Sequence, residues 1–362
     1  MVERSQPTQA SSEVLPVIDP TYDSSFKYVF GTEGESEPIL ACLLNDVLHL
    51  EGDRAIKTLR YKSVERVIDR QGGRGLVLDL LVTDERGVSY DVEIQRSDSA
   101  PVITRSLYQG ARLLAGQLNQ RERYDDLKPV IVVFFCLYST FPDHASVRTL
   151  RLSAYAIDRE GEETPLGSKL SDFDPATHKR YDQLKNKVRR AEASLSLLRL
   201  YLVELDKPNP KLSDRQRAWL TFLLNGEPRE GGGKPKPMRD HDTAEESEMY
   251  TVVDGYYVPN NAPPETIDWI NAARERLKRF AADPSARRQY DRENLERLSH
   301  NTSLHYAIEE GLERGRAEGE AKGRAEMISK MIPQLRASGF DDAQIKEMLA
   351  LHDDEAEGFF KV

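Results

Sequence analysis

Residues 75–95 read GLVLDLLVTDERGVSYDVEIQ. Two apolar runs, Gly75–Val82 and Val88–Gln95, flank the polar stretch Asp84-Glu85-Arg86-Gly87. Apolar, β-branched runs on either side of such a stretch predict a hairpin. Asp at the first turn position and Gly at the fourth suit a type I turn. With Gly87 left-handed, that turn makes a three-residue loop with a bulge. Asp84 then faces Val88, and counting outward sets Asp79 opposite Glu93. Opposed residues share a sheet face, with Cβ atoms roughly 5 Å apart. A two- or four-residue loop would instead put the two acids on opposite faces.

A carboxylate inside an apolar strand is costly unless it is paired, hydrogen-bonded or bound to metal. Two of them face to face repel unless a divalent cation lies between. Gln95 and Asp91 share the face of Glu93, because side chains alternate along a strand. A few carboxylate oxygens with room for water suit Mg2+ best, with Mn2+ or Ca2+ as alternatives. Such an ion polarises a phosphodiester and generates hydroxide. Taken singly, each acid equally suits a surface or edge position.

Outward from the hairpin, Asp23–Leu50 predicts a helix that breaks over 31–35 and restarts at Glu37-Pro38, Pro being favoured in a first turn. Residues 57–68 are a candidate strand. Ile103–Leu118 predicts an amphipathic helix with Leu107, Ala111, Leu114 and Leu118 on one face. The apolar run Val130–Leu137 is far too short to span a membrane and predicts a buried strand. His178–Leu205 predicts a basic helix, and Arg215–Leu224 a short apolar one. Residues 265–300 predict further helices. Farther on, Gly311, Gly315, Gly319 and Gly323 recur at every fourth position. They either permit close helix contact or weaken a solvated helix by about 1 kcal/mol each. The expected organisation is a disordered tail over 1–16, an α/β domain over 17–225, a Gly/Pro/Lys-rich linker over 226–248, and a helical C-terminal region over 249–362.

The chain has 362 residues, 39% hydrophobic and 31% charged, which allows a large core in a soluble protein. Its net charge of −10 excludes a uniformly basic surface. Local patches still count for nucleic acid: basic residues gather over 54–75 and 178–217, and acid in the tail from 301. Two cysteines, Cys42 and Cys136, make neither a disulfide framework nor a four-cysteine zinc site. A reducing compartment is expected. The N-terminus lacks an apolar h-region, so no signal peptide is expected and the localisation is cytoplasmic. The seven histidines show no metal-ligand spacing, and no Gly-rich loop ends in Lys-Ser/Thr, which excludes an NTPase.

Several blocks come in a telling order: DSSFKYVFG at 23–31, Leu78-Asp79-Leu80, Val92-Glu93-Ile94-Gln95, RSLYQ at 105–109, Arg123-Tyr124, and RAWLTFL at 217–223. Together they resemble the recombination-promoting nuclease (Rpn) family of the PD-(D/E)XK superfamily, over about residues 19–225. The Gly- and Glu-rich C-terminal helix is also typical of it. The resemblance implies a restriction-endonuclease-like core, a mixed sheet flanked by helices, and a Mg2+-dependent endodeoxyribonuclease linked to recombination or mobile elements. It implies metal ligation by Asp79, Glu93 and the Ile94 backbone carbonyl. Gln95 stands where the superfamily usually has Lys, so it can orient a water but brings no charge. Asp23 corresponds to the first-helix acid of the superfamily, or else caps its helix.

Lys27, Arg105, Tyr108 and Gln109 are supporting candidates. Tyr108 equally suits a core position, and Lys27, like the basic set Lys185, Lys187, Arg189 and Arg190, equally suits a solvated face. "Transposase" is a label of the family, and no three-acid transposase pattern accompanies it here. The expected partner is DNA, with no membrane, and with homo-oligomerisation through the C-terminal helix. The alternative, from a different class, is a weak or inactive nuclease-fold module that binds DNA or protein partners.

Overall fold

Val130 to Cys136 is buried along its entire length, and the sheet is built outward from it. A computed structural model of the chain describes residues 16–62, 78–97, 101–118, 121–157, 159–165, 178–205, 207, 211–224, 250–253, 256–352 and 359–360. The expected linker, and the expected tail up to residue 15, lie outside the described residues.

In chain order the helices are α1 (Asp23–Phe30), α2 (Glu37–Leu48), α3 (Val102–Ala115), α4 (His178–Leu195), α5 (Asp214–Leu224), α6 (Pro264–Ala282), α7 (Pro284–Ala337) and α8 (Asp342–Met348). The strands are β1 (Leu59–Tyr61), β2 (Leu80–Asp84), β3 (Ser89–Gln95), β4 (Val130–Cys136), β5 (Val147–Arg151), β6 (Tyr155–Ile157), β7 (Glu163–Pro165), β8 (Leu198–Glu204), β9 (Tyr250–Val253) and β10 (Tyr256–Pro259). Six of them form one mixed sheet in the order β1-β2-β3-β4-β8-β5. The β3–β4 and β4–β8 pairs are parallel, and the other three are antiparallel. A parallel neighbour needs a crossover, and α3 supplies it between β3 and β4. This is the expected α/β architecture, a mixed sheet flanked by helices, as in a restriction-endonuclease-like fold.

The two faces of β4 feed two cores. Ile131, Val133 and Phe135 pack with α1, α2, α5 and α6, around Phe26, Phe30 and Trp219. Val130, Val132, Phe134 and Cys136 pack under α3 with Val102, Leu113 and Leu200. A strand buried on both sides reads as an uninterrupted apolar run, which is why β4 is visible in the sequence. Gly110 lets α3 seat closely, since a Cβ there would collide with Leu198 and come within 3.0 Å of Val132.

Two expectations are corrected. The helix predicted over His178–Leu205 stops at Leu195, and Leu198–Glu204 is a central strand between β4 and β5. Leu198, Leu200 and Leu202 alternate onto the α3 face, and ladders on both edges outweigh helical propensity there. The buried face of α3 is Val102, Ser106, Gln109, Gly110 and Leu113, whereas Leu107 is exposed. Helix α7 is a single 54-residue helix, continuous from Pro284 through the glycine repeat. Among the described residues, a Cβ on Gly311, Gly315, Gly319 or Gly323 would meet nothing within 4 Å beyond its own helix backbone.

Contacts divide the chain into two compact units, residues 1–290 and 291–362. In the second, α8 folds onto the end of α7 around Ile328, Ile332, Ile345 and Leu351. Among the described residues, no helix is long and apolar enough to cross a membrane.

Candidate active site

The hairpin turn closes as its residues dictate. Gly87 takes φ +83°, and its N–H donates to the Asp84 carbonyl at 3.0 Å. The Asp84 N–H donates to the Val88 carbonyl, also at 3.0 Å. The Asp84 carboxylate braces the loop by accepting from the Arg86 and Val88 N–H groups, each at 2.9 Å. From there the ladder runs Thr83–Ser89, Val82–Tyr90, Leu81–Asp91 and Leu80–Val92. The next step outward is Asp79 opposite Glu93, on the α3 side of the sheet by alternation from Leu81 and Asp91.

Asp79 lies just before β2, where the hairpin opens. Its N–H donates to Glu93 Oε1 at 3.0 Å, and the Ile94 N–H donates back to Asp79 Oδ2 at 3.1 Å. Each carboxylate is thus aimed by the other strand's backbone. The Gln95 carbonyl accepts from the Leu137 N–H. Successive carbonyls of a strand point to opposite edges, so the Ile94 carbonyl points to the edge where Asp79 stands.

Two cations reach these acids from the flanking helices. Lys27 on α1 holds Nζ 3.5 Å from Asp79 Oδ1 and 2.7 Å from Asp23 Oδ1. Arg105 on α3 donates through Nη2 to Glu93 Oε2 at 2.7 Å and through Nη1 to Gln95 Oε1 at 3.1 Å. The other end of the Gln95 amide donates to the Ser97 carbonyl at 3.0 Å. Gln109 is buried beside Glu93 and hydrogen-bonds to it, which lowers the Glu93 pKa, while the Gln109 Oε1 finds no partner among the described residues.

Tyr108 is not among the groups brought together. It is 44% exposed and accepts from Arg112 Nη1 at 3.2 Å, so it takes neither the site nor the core position. Asp23 sits in the first turn of α1 rather than at its cap, which is Tyr22. Lys187, Arg189 and Arg190 on α4 are solvent-exposed.

Charge is concentrated here. Burial raises the Glu93 pKa to about 7, and the Asp79 charge adds to the effect. Burial also raises Asp79, against the pull of the Ile94 N–H and of Lys27. Burial works against the charge on Lys27 too, but Asp23 and Asp79 overcome it and hold its pKa up. Asp91 is fully buried two residues before Glu93, and neither of its oxygens has a hydrogen-bond partner among the described residues. Burial, then the charges of Glu93 and Asp79, push Asp91 well above the usual carboxylate range. Its place on the Glu93 face was visible from strand alternation, but its complete burial was not.

The donors facing the hairpin mouth are hard oxygens: two carboxylates and the Ile94 carbonyl. They fit a divalent cation by type, and the raised acids are negative charge that a cation would neutralise. Among the described residues, no group of three or more His, Cys, Asp or Glu side chains is arranged to hold a metal. The donor set therefore rests on Asp79, Glu93 and backbone, with Glu93 engaged by Arg105.

No curated protein and no solved structure matches the chain. Residues 20–171 match the family model described as PD-(D/E)XK nuclease family transposase. The matched segment includes α1, the opposed acids, α3 and β4, the elements that build the site, and continues past β7. Over residues 20–171 the chain is therefore similar to the PD-(D/E)XK nuclease family transposases, the superfamily its motifs resemble.

Proposed function

We propose that the protein is a divalent-metal-dependent endodeoxyribonuclease that hydrolyses DNA phosphodiesters, with Asp79, Glu93 and the Ile94 carbonyl as ligands. The observation that carries this reading is the opposition of Asp79 and Glu93 across the hairpin, each oriented by a backbone N–H of the facing strand. A bound Mg2+, or Mn2+ or Ca2+ in its place, would supply Lewis-acid polarisation of the phosphate and an acidified water. The protein supplies position and charge. Lys27 holds Asp79 from α1, and Asp23 holds Lys27. Gln95 lies on the same face, two residues beyond Glu93, where its amide can orient a water. Arg105 and Lys27 bring positive charge to a site that must receive a polyanion. DNA is the substrate class, the cytoplasm the setting, and recombination or mobile elements the context. Self-association belongs to α7.

Supercoiled plasmid with Mg2+ or with EDTA tests this reading. The wild type should nick or linearise it only with Mg2+, and Asp79→Ala should lose that activity. Its melting temperature should hold or rise, because the substitution relieves repulsion with Glu93. Equal cleavage by Asp79→Ala would end the assignment.

One observation favours a second reading, a nuclease-fold module that binds without cutting. Both ends of the Gln95 amide are engaged, and Glu93 is paired with Arg105. Metal-dependent DNA binding with no cleavage under any divalent ion would select it.

A further inference from the structure

Each of the two proposed ligand carboxylates already has a cation of the protein's own. Arg105 makes the closer pairing, and it bridges two groups at once. Its Nη2 lies 2.7 Å from Glu93 Oε2, and its Nη1 lies 3.1 Å from Gln95 Oε1. Glu93 is 1% exposed while the Arg105 side chain is 37% exposed. The carboxylate is thus sealed inside, and the guanidinium that covers it stands at the surface. Behind it, the Phe134 ring lies 5.6 Å from the guanidinium carbon. A planar fork in this setting can take either a carboxylate or a phosphate.

We propose that Arg105 is an exchangeable counter-ion: it holds Glu93 while no metal is bound, releases it to an incoming divalent cation, and then takes a backbone phosphate of the DNA. This inference rests on the nuclease reading and adds a thermodynamic link to it. Glu93 is the shared element. One of its oxygens is engaged by the Asp79 N–H and the other by Arg105, so a cation that needs Glu93 competes with Arg105. The competition lowers metal affinity in the absence of DNA. A phosphate that captures the guanidinium removes the competitor, so metal and DNA each strengthen the other's binding, as linkage requires. Lys27 on Asp79 is looser, at 3.5 Å, and is also held by Asp23 at 2.7 Å. Its closer partner is thus Asp23, so a cation on Asp79 need not dislodge it, whereas Arg105 sits on Glu93 itself at 2.7 Å.

The experiment uses the full-length chain, with Ca2+ as the probe metal and a short DNA duplex as the probe anion. Calorimetry measures Ca2+ affinity with and without DNA, and anisotropy measures DNA affinity with and without Ca2+. In the wild type, each ligand should tighten the other by at least about fivefold. Arg105→Gln should bind Ca2+ alone roughly fivefold more tightly than the wild type, because an exposed competing charge is gone. The mutual tightening should fall to nearly none.

Arg105→Lys keeps the charge without the fork and should fall between the two. It also carries the test if Arg105→Gln does not fold. Weaker Ca2+ binding by Arg105→Gln, or undiminished tightening in either variant, would overturn the inference and make Arg105 a fixed support for Glu93. If the wild type binds no Ca2+, Mg2+ or Mn2+, the nuclease reading falls and takes this inference with it. If it binds metal but the variants behave like the wild type, the inference alone falls.

Discussion

Glu93 makes the energetics of the site visible at the scale of one residue. Its pKa stands at about 7 against an ordinary 4.5, through burial and then the Asp79 charge. Between those values the folded protein retains a proton that the unfolded chain has released. The native state then binds more protons than the unfolded state, so the metal-free protein loses stability as pH rises from 4.5 to about 7. The loss is on the order of 2–3 kcal/mol. Urea midpoints of the metal-free protein across that window should fall with pH, and Glu93→Gln should flatten the slope. A slope as steep in Glu93→Gln would assign the titration to another group. Asp91 adds a third buried carboxyl two residues before Glu93, pushed well above the usual carboxylate range by burial and then by the charges of Glu93 and Asp79. A carboxyl so deeply buried is costly, and sites of function are where such costs are retained.

At the scale of elements, the β2–β3 hairpin carries the argument, and Gly87 carries the hairpin. Its φ of +83° is a left-handed conformation, which costs an L-residue about 1–2 kcal/mol. A Cβ there would find the flexible Lys128 side chain nearest, with Cγ at 3.4 Å, an ordinary contact, so the cost of Gly87→Ala is conformational rather than steric. Gly87→Ala should therefore lower stability by about 1–2 kcal/mol. Gly87→Asn should cost less, since Asn tolerates that region. Denaturation of both variants decides it: equal stability of Gly87→Ala and wild type would mean that the turn is not left-handed in solution. The consequence reaches the chemistry, because a loop one residue longer or shorter would turn Asp79 away from Glu93.

At the scale of the whole first unit, Asp46 ties together segments far apart in the chain. Its Oδ2 accepts from Trp219 Nε1 at 3.0 Å and from Thr266 Oγ1 at 2.9 Å. Its Oδ1 accepts from Arg215 Nη1 at 3.1 Å. Helices α2, α5 and α6 thus meet at one buried carboxylate, on the side of the sheet opposite the acids. Asp46→Ala strands the indole N–H and a hydroxyl in the core. The partly exposed Arg215 recovers some solvation, so the loss should be about 2–3 kcal/mol. A urea titration followed by Trp fluorescence should show the midpoint falling accordingly. An unmoved midpoint would mean that apolar packing alone joins the three helices.

The hairpin, its turn type and the opposition of Asp79 and Glu93 were legible in the sequence because each is local. A turn is set by four residues, and its length propagates through a side-chain period of two. Strand β4 was legible because burial on both faces leaves no polar residue in it, and α1 and α2 because Gly31 and Pro38 mark the break between them. Leu198–Glu204 was not legible as a strand. Whether that run is strand or helix depends on β4 and β5 lying on its two edges, and no window of the sequence contains those partners.

The face of α3 was misjudged for a related reason. What it buries is set by Gly110 approaching Leu198 and Val132, and by the buried polar Gln109 lying beside Glu93. Apolar periodicity alone points elsewhere. Tertiary structure likewise decided which cations meet the acids, Lys27 to Asp79 and Arg105 to Glu93. Composition puts charges on helices, but only the packing of α1 and α3 on the sheet brings them within hydrogen-bonding reach of two carboxylates.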